Sequence, residues 1–211
     1  MRFILSSTIF CLTLTISYAQ RLIPVYEEPL HELIFSNHLV RILDVQALAG
    51  DTSQLHVHNE NYCYVALRGG SLWLDEAAGI RQVEMPDLFV GGIYNDPPQP
   101  LIHRFANCSS HPIRIFTVER LSEKPIHTLP LPINPDEEII LDNSFFRVIR
   151  IKSSEQKKVI EVALPTAVVS LNGSRIPGAK SKHDWLWMDK GKKLTVIASG
   201  NSIDVMCIQI K

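Results

Sequence analysis

The feature that most constrains the fold of this chain is an internal repeat. Residues 32–43 return as residues 138–149, an offset of 106 positions with matching residue types. A second match begins at residue 65 and again at residue 169, in the same order and at an offset of 104, as a two-residue loop deletion would produce. Two ordered matches at nearly one spacing predict two copies of one structural module.

The two copies define the predicted domain organisation. We place the first module at residues 27–120 and the second at residues 133–211. Residues 121–132 lie between them and contain Pro125 and Pro130. Because proline stiffens a chain segment, this stretch is predicted to be a linker.

Both copies carry the signals of β-strands. Apolar residues alternate with polar ones, or form short runs, in residues 40–46, 62–67, 113–119 and 146–152. Turns rich in glycine, proline and asparagine separate such runs. Short strands at intervals of about ten residues predict an all-β fold, either a sandwich or a barrel.

Composition excludes several classes of function. Lys and Arg number 21 and Asp and Glu number 22, and the sequence pI is near 6.7. A nucleic-acid-binding protein usually has a basic face and a high pI, so we expect no nucleic-acid partner. The sequence also lacks a glycine-rich phosphate loop, the Gly-x-Ser-x-Gly motif of serine hydrolases and a Cys-x-x-Cys pair.

The N-terminal segment has the pattern of a secretory signal peptide. Arg2 precedes an apolar run, and Ser17-Tyr18-Ala19 ends it with a small-x-small pattern. The run is shorter than the roughly 20 residues that span a bilayer. We therefore predict a signal peptide over residues 1–19, a secreted or periplasmic location, and no membrane span after its removal.

An extracytoplasmic location would permit disulfides among the remaining cysteines. Three cysteines follow Ala19, so at least one thiol of a monomer is unpaired. Cys63 with Cys108 is the one pair that merits a test, and Cys207 is expected to be buried in a terminal strand.

Three histidines lie on two strand-like runs. His56 and His58 are two residues apart, so alternation along a strand places both imidazoles on one face. His103 lies in a second run, and the three rings converge if the two strands are neighbours. Neutral imidazole binds divalent transition metals such as Fe, Mn, Ni, Zn or Cu. The alternative is three ordinary histidines on a polar face or in the core.

The spacing around His56 and His58 resembles the first motif of the cupin superfamily. That motif runs from a glycine through His-x-His and a glutamate to a second glycine. Gly50 and Gly69 occupy its two glycine positions, but Tyr62 stands where the motif has glutamate.

The spacing around His103 resembles the second cupin motif. Gly92, Pro98 and Asn107 match its glycine, proline and asparagine, whereas Pro100 replaces an inner glycine. With the repeat, both motifs make the chain resemble a secreted bicupin. The resemblance implies two antiparallel jelly-roll barrels in tandem, with the metal ligands inside the first.

The resemblance also implies roles for individual residues. His56, His58 and His103 would hold one divalent transition metal (Fe, Mn, Ni, Zn or Cu). Tyr62 is expected to pack inside the barrel or to donate a hydrogen bond to a bound ligand. Asn107 is expected to satisfy backbone groups of the barrel or to contact that ligand. The other histidines of the first module and the linker, His31, His38, His111 and His127, are expected to be solvated.

The second module has no counterpart of the histidine set. The repeat aligns Ile160 with His56, Val162 with His58, and a residue near Leu194 with His103. We therefore interpret this module as a degenerate copy without metal. Its expected role is to stabilise the first barrel by burying a sheet face against it.

Two functions remain open from the sequence. The first is a secreted metal-binding cupin that acts on or binds a small molecule in the N-terminal barrel, with an oxygenase or isomerase reaction if it is an enzyme. The alternative is a non-catalytic bicupin that binds a small ligand or serves as a scaffold without tightly held metal. A homodimer is compatible with the resemblance.

Overall fold

The computed structural model describes residues 22–96, 98–122, 134–179 and 184–211. The predicted signal peptide, most of the predicted linker and His127 lie outside these ranges. Within them the chain consists of β-strands and a single 3-10 helix, Val25–Glu27. No helix in the described part of the chain is long and apolar enough to cross a membrane.

The first barrel is formed by two five-stranded sheets that face each other. The strands are β1 (Ile23–Pro24), β2 (His31–Ser36), β3 (Val40–Ala47), β4 (His56–His58), β5 (Asn61–Arg68), β6 (Gly70–Glu76), β7 (Gly79–Met85), β8 (Val90–Ile93), β9 (Leu101–Asn107) and β10 (Ile113–Arg120). One sheet has the order β1-β4-β9-β6-β7 and the other β2-β3-β10-β5-β8, and only the β1–β4 pairing is parallel among their ladders.

The second barrel repeats this arrangement with fewer strands among its described residues. The strands are β11 (Glu137–Asp142), β12 (Phe146–Ser153), β13 (Lys157–Glu161), β14 (Thr166–Ser170), β15 (Trp185–Met188), β16 (Lys193–Ile197) and β17 (Ile203–Ile210). A five-stranded sheet has the order β11-β12-β17-β14-β15, and β13 pairs with β16. The predicted all-β fold of two antiparallel jelly-roll barrels in tandem is confirmed.

The sequence repeat is also a repeat of local hydrogen bonding. The side-chain oxygen of Asn37 accepts the backbone N–H groups two and three residues later, and Asn143 does the same in the second copy. The β2–β3 ladder shifts register after Leu33, and the β11–β12 ladder shifts after Ile139. Asn37 and Asn143 are 106 residues apart, and so are Leu33 and Ile139. The asparagine turn and the register shift therefore recur at the same offset as the sequence repeat.

One apolar cluster joins the two barrels. Phe116 and Val118 of the first barrel share it with Phe146, Trp185 and Ile208 of the second, and all five side chains are buried. The ring centroids of Phe116 and Trp185 are 5.8 Å apart. The second barrel therefore buries one sheet face against the first, as the sequence predicted.

Two motif glycines allow backbone segments to approach closely. A Cβ atom added to Gly69 would lie 1.9 Å from the carbonyl oxygen of Met85. A Cβ atom added to Gly92 would lie 2.1 Å from the carbonyl oxygen of Tyr62. Real Cβ atoms do not come this close to backbone, so any larger residue at either position would force strands of the barrel apart.

The three described cysteines are free thiols. Cys63 and Cys207 are buried, whereas Cys108 is exposed. No disulfide joins Cys63 to Cys108. Cys207 lies in β17, buried as expected.

Candidate metal centre

The structure brings together the three histidines singled out by the sequence. β4 and β9 are adjacent antiparallel strands, and His56 is the direct cross-strand partner of His103. The ring centroids are 4.4 Å apart for His56 and His103, 5.2 Å for His56 and His58, and 5.2 Å for His58 and His103. The alternation along β4 thus places both of its imidazoles on the barrel interior.

A fourth imidazole, that of His31, completes the cluster. The His31 ring centroid is 4.6 Å from that of His56 and 6.2 Å from that of His58. One ring nitrogen from each of these three residues lies within 4.8 Å of the others. Because a transition metal binds imidazole nitrogens at about 2.0–2.1 Å, nitrogens this close are able to share one ion after small side-chain movements.

The expectation that His31 is solvated is wrong. Its side chain is only 5% exposed, because β2 lies in the sheet opposite β4 and β9 and directs the ring across the barrel interior. No motif or strand periodicity marked this residue in the sequence. The only local signal is Glu28, a carboxylate three positions earlier, whose Oε2 lies 2.5 Å from Nδ1 of His31.

Several ring nitrogens of the cluster are buried without a hydrogen-bond partner. Nδ1 of His56 lies 2.8 Å from the carbonyl oxygen of Gln54 and must donate to it, so the lone pair is on Nε2. That Nε2, Nδ1 of His58 and both nitrogens of His103 find no partner in the described part of the chain. A buried polar atom without a partner costs free energy, so these nitrogens need an explanation.

The cluster favours neutral imidazoles. Burial, reinforced by the neighbouring His31, lowers the pKa of His56 to about 4. Burial together with His56 and His31 lowers the pKa of His103 to about 3. The pKa of His58 is also well below its usual value, mainly through burial. Neutral imidazole is the form that binds metal, so the chemistry of this donor set fits a transition-metal ion.

A buried carboxylate, Glu119, lies behind His58. Arg41 donates from Nε to Oε2 of Glu119 at 2.8 Å, and the carboxylate is fully buried. Oε1 is 3.8 Å from Nδ1 of His58, too far for a direct hydrogen bond. Burial raises the pKa of Glu119, and Arg41 opposes that shift.

Tyr62 lies inside the barrel, beside the cluster. Its ring stacks on His58 with centroids 4.4 Å apart and an interplanar angle of 29°. The side chain is buried, and burial raises its phenol pKa well above the usual value. The hydroxyl therefore stays protonated near neutral pH and is available as a hydrogen-bond donor to a bound molecule.

The amide of Asn107 serves the barrel backbone. Its Nδ2 donates to the carbonyl oxygens of Ala47, Leu48 and His111 at 2.9–3.1 Å. Its Oδ1 accepts the N–H of Ser109 at 2.9 Å. These bonds join the end of β9 to neighbouring segments, and Asn107 does not line the cavity beside the histidines.

The cluster opens onto a cavity of about 340 Å³. His31, His58 and His103 contribute to its wall. Glu76 and Arg81, which form an ion pair at 3.3 Å, also line it and are partly exposed. The volume lies within the range of small-molecule sites. The remaining wall is mainly apolar and aromatic, with Leu72, Leu74, Tyr64, Phe89, Phe105 and Ile115 among its residues.

Comparison with known proteins establishes the fold. No protein-family model and no curated protein sequence match the chain. Among solved structures, YhhW from Escherichia coli matches with a TM-score of 0.57 and 16% identity, over 86% of this chain and 89% of that one. AerE from Microcystis aeruginosa matches with a TM-score of 0.52 and 17% identity, over 87% of this chain and 98% of that one.

A second structure of YhhW describes it as a bacterial pirin in complex with nickel(II), with the same TM-score of 0.57 and 16% identity, over 85% of this chain and 89% of that one. An oxalate decarboxylase matches with a TM-score of 0.53 and 9% identity, over 82% of this chain and 69% of that one. These similarities show that the chain has the fold of the cupin superfamily.

Proposed function

We propose that the first barrel holds one divalent transition-metal ion on His56, His58 and His103, and that the adjoining cavity takes a small molecule. The observation that carries this proposal is the set of buried ring nitrogens without a hydrogen-bond partner in the described residues of the adjacent strands β4 and β9, on rings whose centroids are 4.4–5.2 Å apart. Burial keeps these rings neutral, so their lone pairs remain free for an ion. The nickel complex of YhhW supports the proposal by analogy of fold.

The residues around the centre suit an apolar or aromatic small molecule. The wall of the cavity supplies hydrophobic contact, while Tyr62 offers a phenolic O–H close to His58. When bound, the metal would act as a Lewis acid towards an oxygen of that molecule. We propose an oxygenase or isomerase reaction as the class of chemistry.

Metal analysis of the full chain tests this function. Natively purified protein should contain about one equivalent of a transition metal. After treatment with EDTA, one of Mn²⁺, Fe²⁺, Ni²⁺, Cu²⁺ or Zn²⁺ should raise the melting temperature. Free ion at a hundred times Kd stabilises the folded state by about 2.7 kcal/mol.

Two variants make the test specific for the centre. His58→Ala should lose the metal and the thermal shift, whereas His38→Ala, which changes an exposed histidine, should keep both. Wild-type protein without metal, and without a thermal shift for any of the five ions, would refute the proposal.

A second candidate function is a non-catalytic binding module or scaffold. The observation in its favour is Tyr62, which occupies the glutamate position of the first motif and stacks on His58. Under this alternative, small organic molecules that fit the cavity raise the melting temperature, and metal ions do not. The same thermal-shift series therefore separates the two functions.

We also propose that the chain is secreted or periplasmic and that the second module is a degenerate copy without metal. The small-x-small pattern ending at Ala19 supports removal of residues 1–19. The intact mass of the natively exported protein would test whether these residues are removed. Limited proteolysis would test the proposed linker at residues 121–132. Light scattering would test the homodimer.

A further inference from the structure

We propose that His31 is a fourth protein ligand of the metal centre, and that the Glu28–His31 pair supplies the carboxylate support that the chain lacks at Tyr62. The inference rests on the proposed metal centre and adds a residue from outside both cupin-like motifs. His31 lies at the start of β2, across the barrel from His56 and His103.

The position of His31 is that of a ligand. A nitrogen of its ring is within 4.8 Å of nitrogens of His56 and His58. Its ring also lines the cavity beside His58 and His103. An ion held by the imidazoles of β4 and β9 would therefore have the His31 ring next to it.

Glu28 holds the His31 ring in one orientation. Its Oε2 lies 2.5 Å from Nδ1 of His31 and also accepts the N–H of Leu30 at 2.8 Å, while Oε1 accepts the N–H of Gln54 at 3.0 Å. A carboxylate oxygen that already accepts one N–H is best matched by a protonated Nδ1. This leaves Nε2 of His31 as the nitrogen available to an ion.

The backbone of Gln54 links Glu28, the partner of His31, to His56. The N–H of Gln54 donates to Glu28, and its carbonyl oxygen accepts Nδ1–H of His56 at 2.8 Å. The chain of contacts His31–Glu28–Gln54–His56 therefore engages Nδ1 of both rings and points to Nε2 of each ring as the nitrogen for an ion. Metal-binding histidines are commonly held in this way, with the second ring nitrogen bound to a carboxylate or a backbone carbonyl.

The nearby buried carboxylates differ in their availability. Glu119 is paired with Arg41 and lies 3.8 Å from His58, and it does not line the cavity. Glu28 contacts an imidazole directly, and its described polar contacts are N–H groups, with no cationic Lys or Arg among them. Its negative charge is therefore free to polarise His31 and to offset part of the charge of a bound cation.

Cobalt binding by the full chain tests this inference. The EDTA-treated protein is titrated with Co²⁺ by calorimetry, and the visible absorption of the complex reports a change in the ligand set. His31→Ala should weaken Co²⁺ binding by about 10- to 100-fold and alter the absorption spectrum. Glu28→Gln, which keeps the imidazole, should weaken binding by about 10-fold.

Control variants separate the possible outcomes. His38→Ala should match the wild type, and His58→Ala should lose the ion. If His58→Ala loses Co²⁺ while His31→Ala and Glu28→Gln keep the affinity and spectrum of the wild type, His31 is not a ligand and the centre proposed above is unaffected. If Glu119→Gln alters the spectrum and His31→Ala does not, the inference is also overturned.

Two further results are decisive. Wild-type protein that binds none of the tested ions overturns both the metal centre and this inference. If His31→Ala does not fold, as judged by circular dichroism, the Glu28→Gln variant decides the question, because an unchanged affinity and spectrum would then overturn the role of the pair.

Discussion

Acidification should destabilise the metal-free protein through its buried imidazoles. Burial lowers the pKa of His56 to about 4 and that of His103 to about 3, whereas a histidine in the unfolded chain titrates near 6.5. Between these values only the unfolded state takes up the protons. Stability is therefore lost as the pH falls below about 6.5, and the loss levels off near the folded-state pKa values.

The size of this loss follows from proton linkage. Between pH 7 and pH 5, each of the two histidines lowers the free energy of unfolding by about 1.8 kcal/mol, since both remain mostly neutral in the folded state at pH 5. His58, whose pKa is also lowered, acts in the same direction. Glu119 acts oppositely, because its raised pKa lets the folded state take up a proton first.

Urea unfolding of the EDTA-treated protein at pH 7 and pH 5 measures the effect. Compared with the wild type, each single variant, His56→Gln or His103→Gln, should show a loss between the two pH values that is smaller by about 1.8 kcal/mol, whatever the substitution does to stability at pH 7. The exposed control His38→Ala should show the wild-type loss. Equal losses in the wild type and both glutamine variants would refute the argument that these rings are buried and neutral.

Three further predictions concern the fold that supports the centre. Gly69→Ala should lower the free energy of unfolding by about 1–3 kcal/mol, because its Cβ would lie 1.9 Å from a backbone carbonyl oxygen. Phe116→Ala should lower it by about 3–5 kcal/mol and alter the fluorescence of Trp185, its neighbour in the cluster between the barrels. Arg41→Ala should lower it by about 3–5 kcal/mol by leaving Glu119 buried without its partner, and adding Glu119→Gln should recover part of the loss. Urea unfolding measures all three, and a loss below about 0.5 kcal/mol in any variant would contradict the stated contact.

The sequence predicted those features that depend on local order along the chain. The predicted repeat at an offset of 106 is matched in the structure by equivalent turns at Asn37 and Asn143, because an Asn side chain and the next three residues suffice for that turn. The spacing of two residues in β4 placed His56 and His58 on one face. The pairing of β4 with β9 joins distant segments, and the residues alone left it as a condition; the cupin resemblance implied that the histidines of both strands meet inside the first barrel.

The sequence did not predict features that depend on how the two sheets face each other. His31 becomes buried only when β2 is placed across the barrel from β4. Its buried Nδ1 then needs a hydrogen-bond partner, and Glu28, the residue directly after the 3-10 helix, supplies one. Neither the facing of the two sheets nor the contact with Glu28 produces a periodic pattern in the sequence. The hydrogen bonds of Asn107 to three separate carbonyl groups likewise arise from the meeting of distant loops.

The second barrel shows that the fold itself does not require the histidines. In the β13–β16 ladder Ile160 is the direct partner of Leu194, and the repeat aligns His56 with Ile160 and His103 with a residue near Leu194. Both aliphatic side chains pack into an apolar cluster. In the second barrel this backbone pairing carries aliphatic side chains, which bury no polar atom. The first barrel instead buries imidazoles whose nitrogens lack hydrogen-bond partners in the described residues, and this costs free energy. Since packing alone would favour the aliphatic pair, the buried histidines of the first barrel support the proposed metal centre.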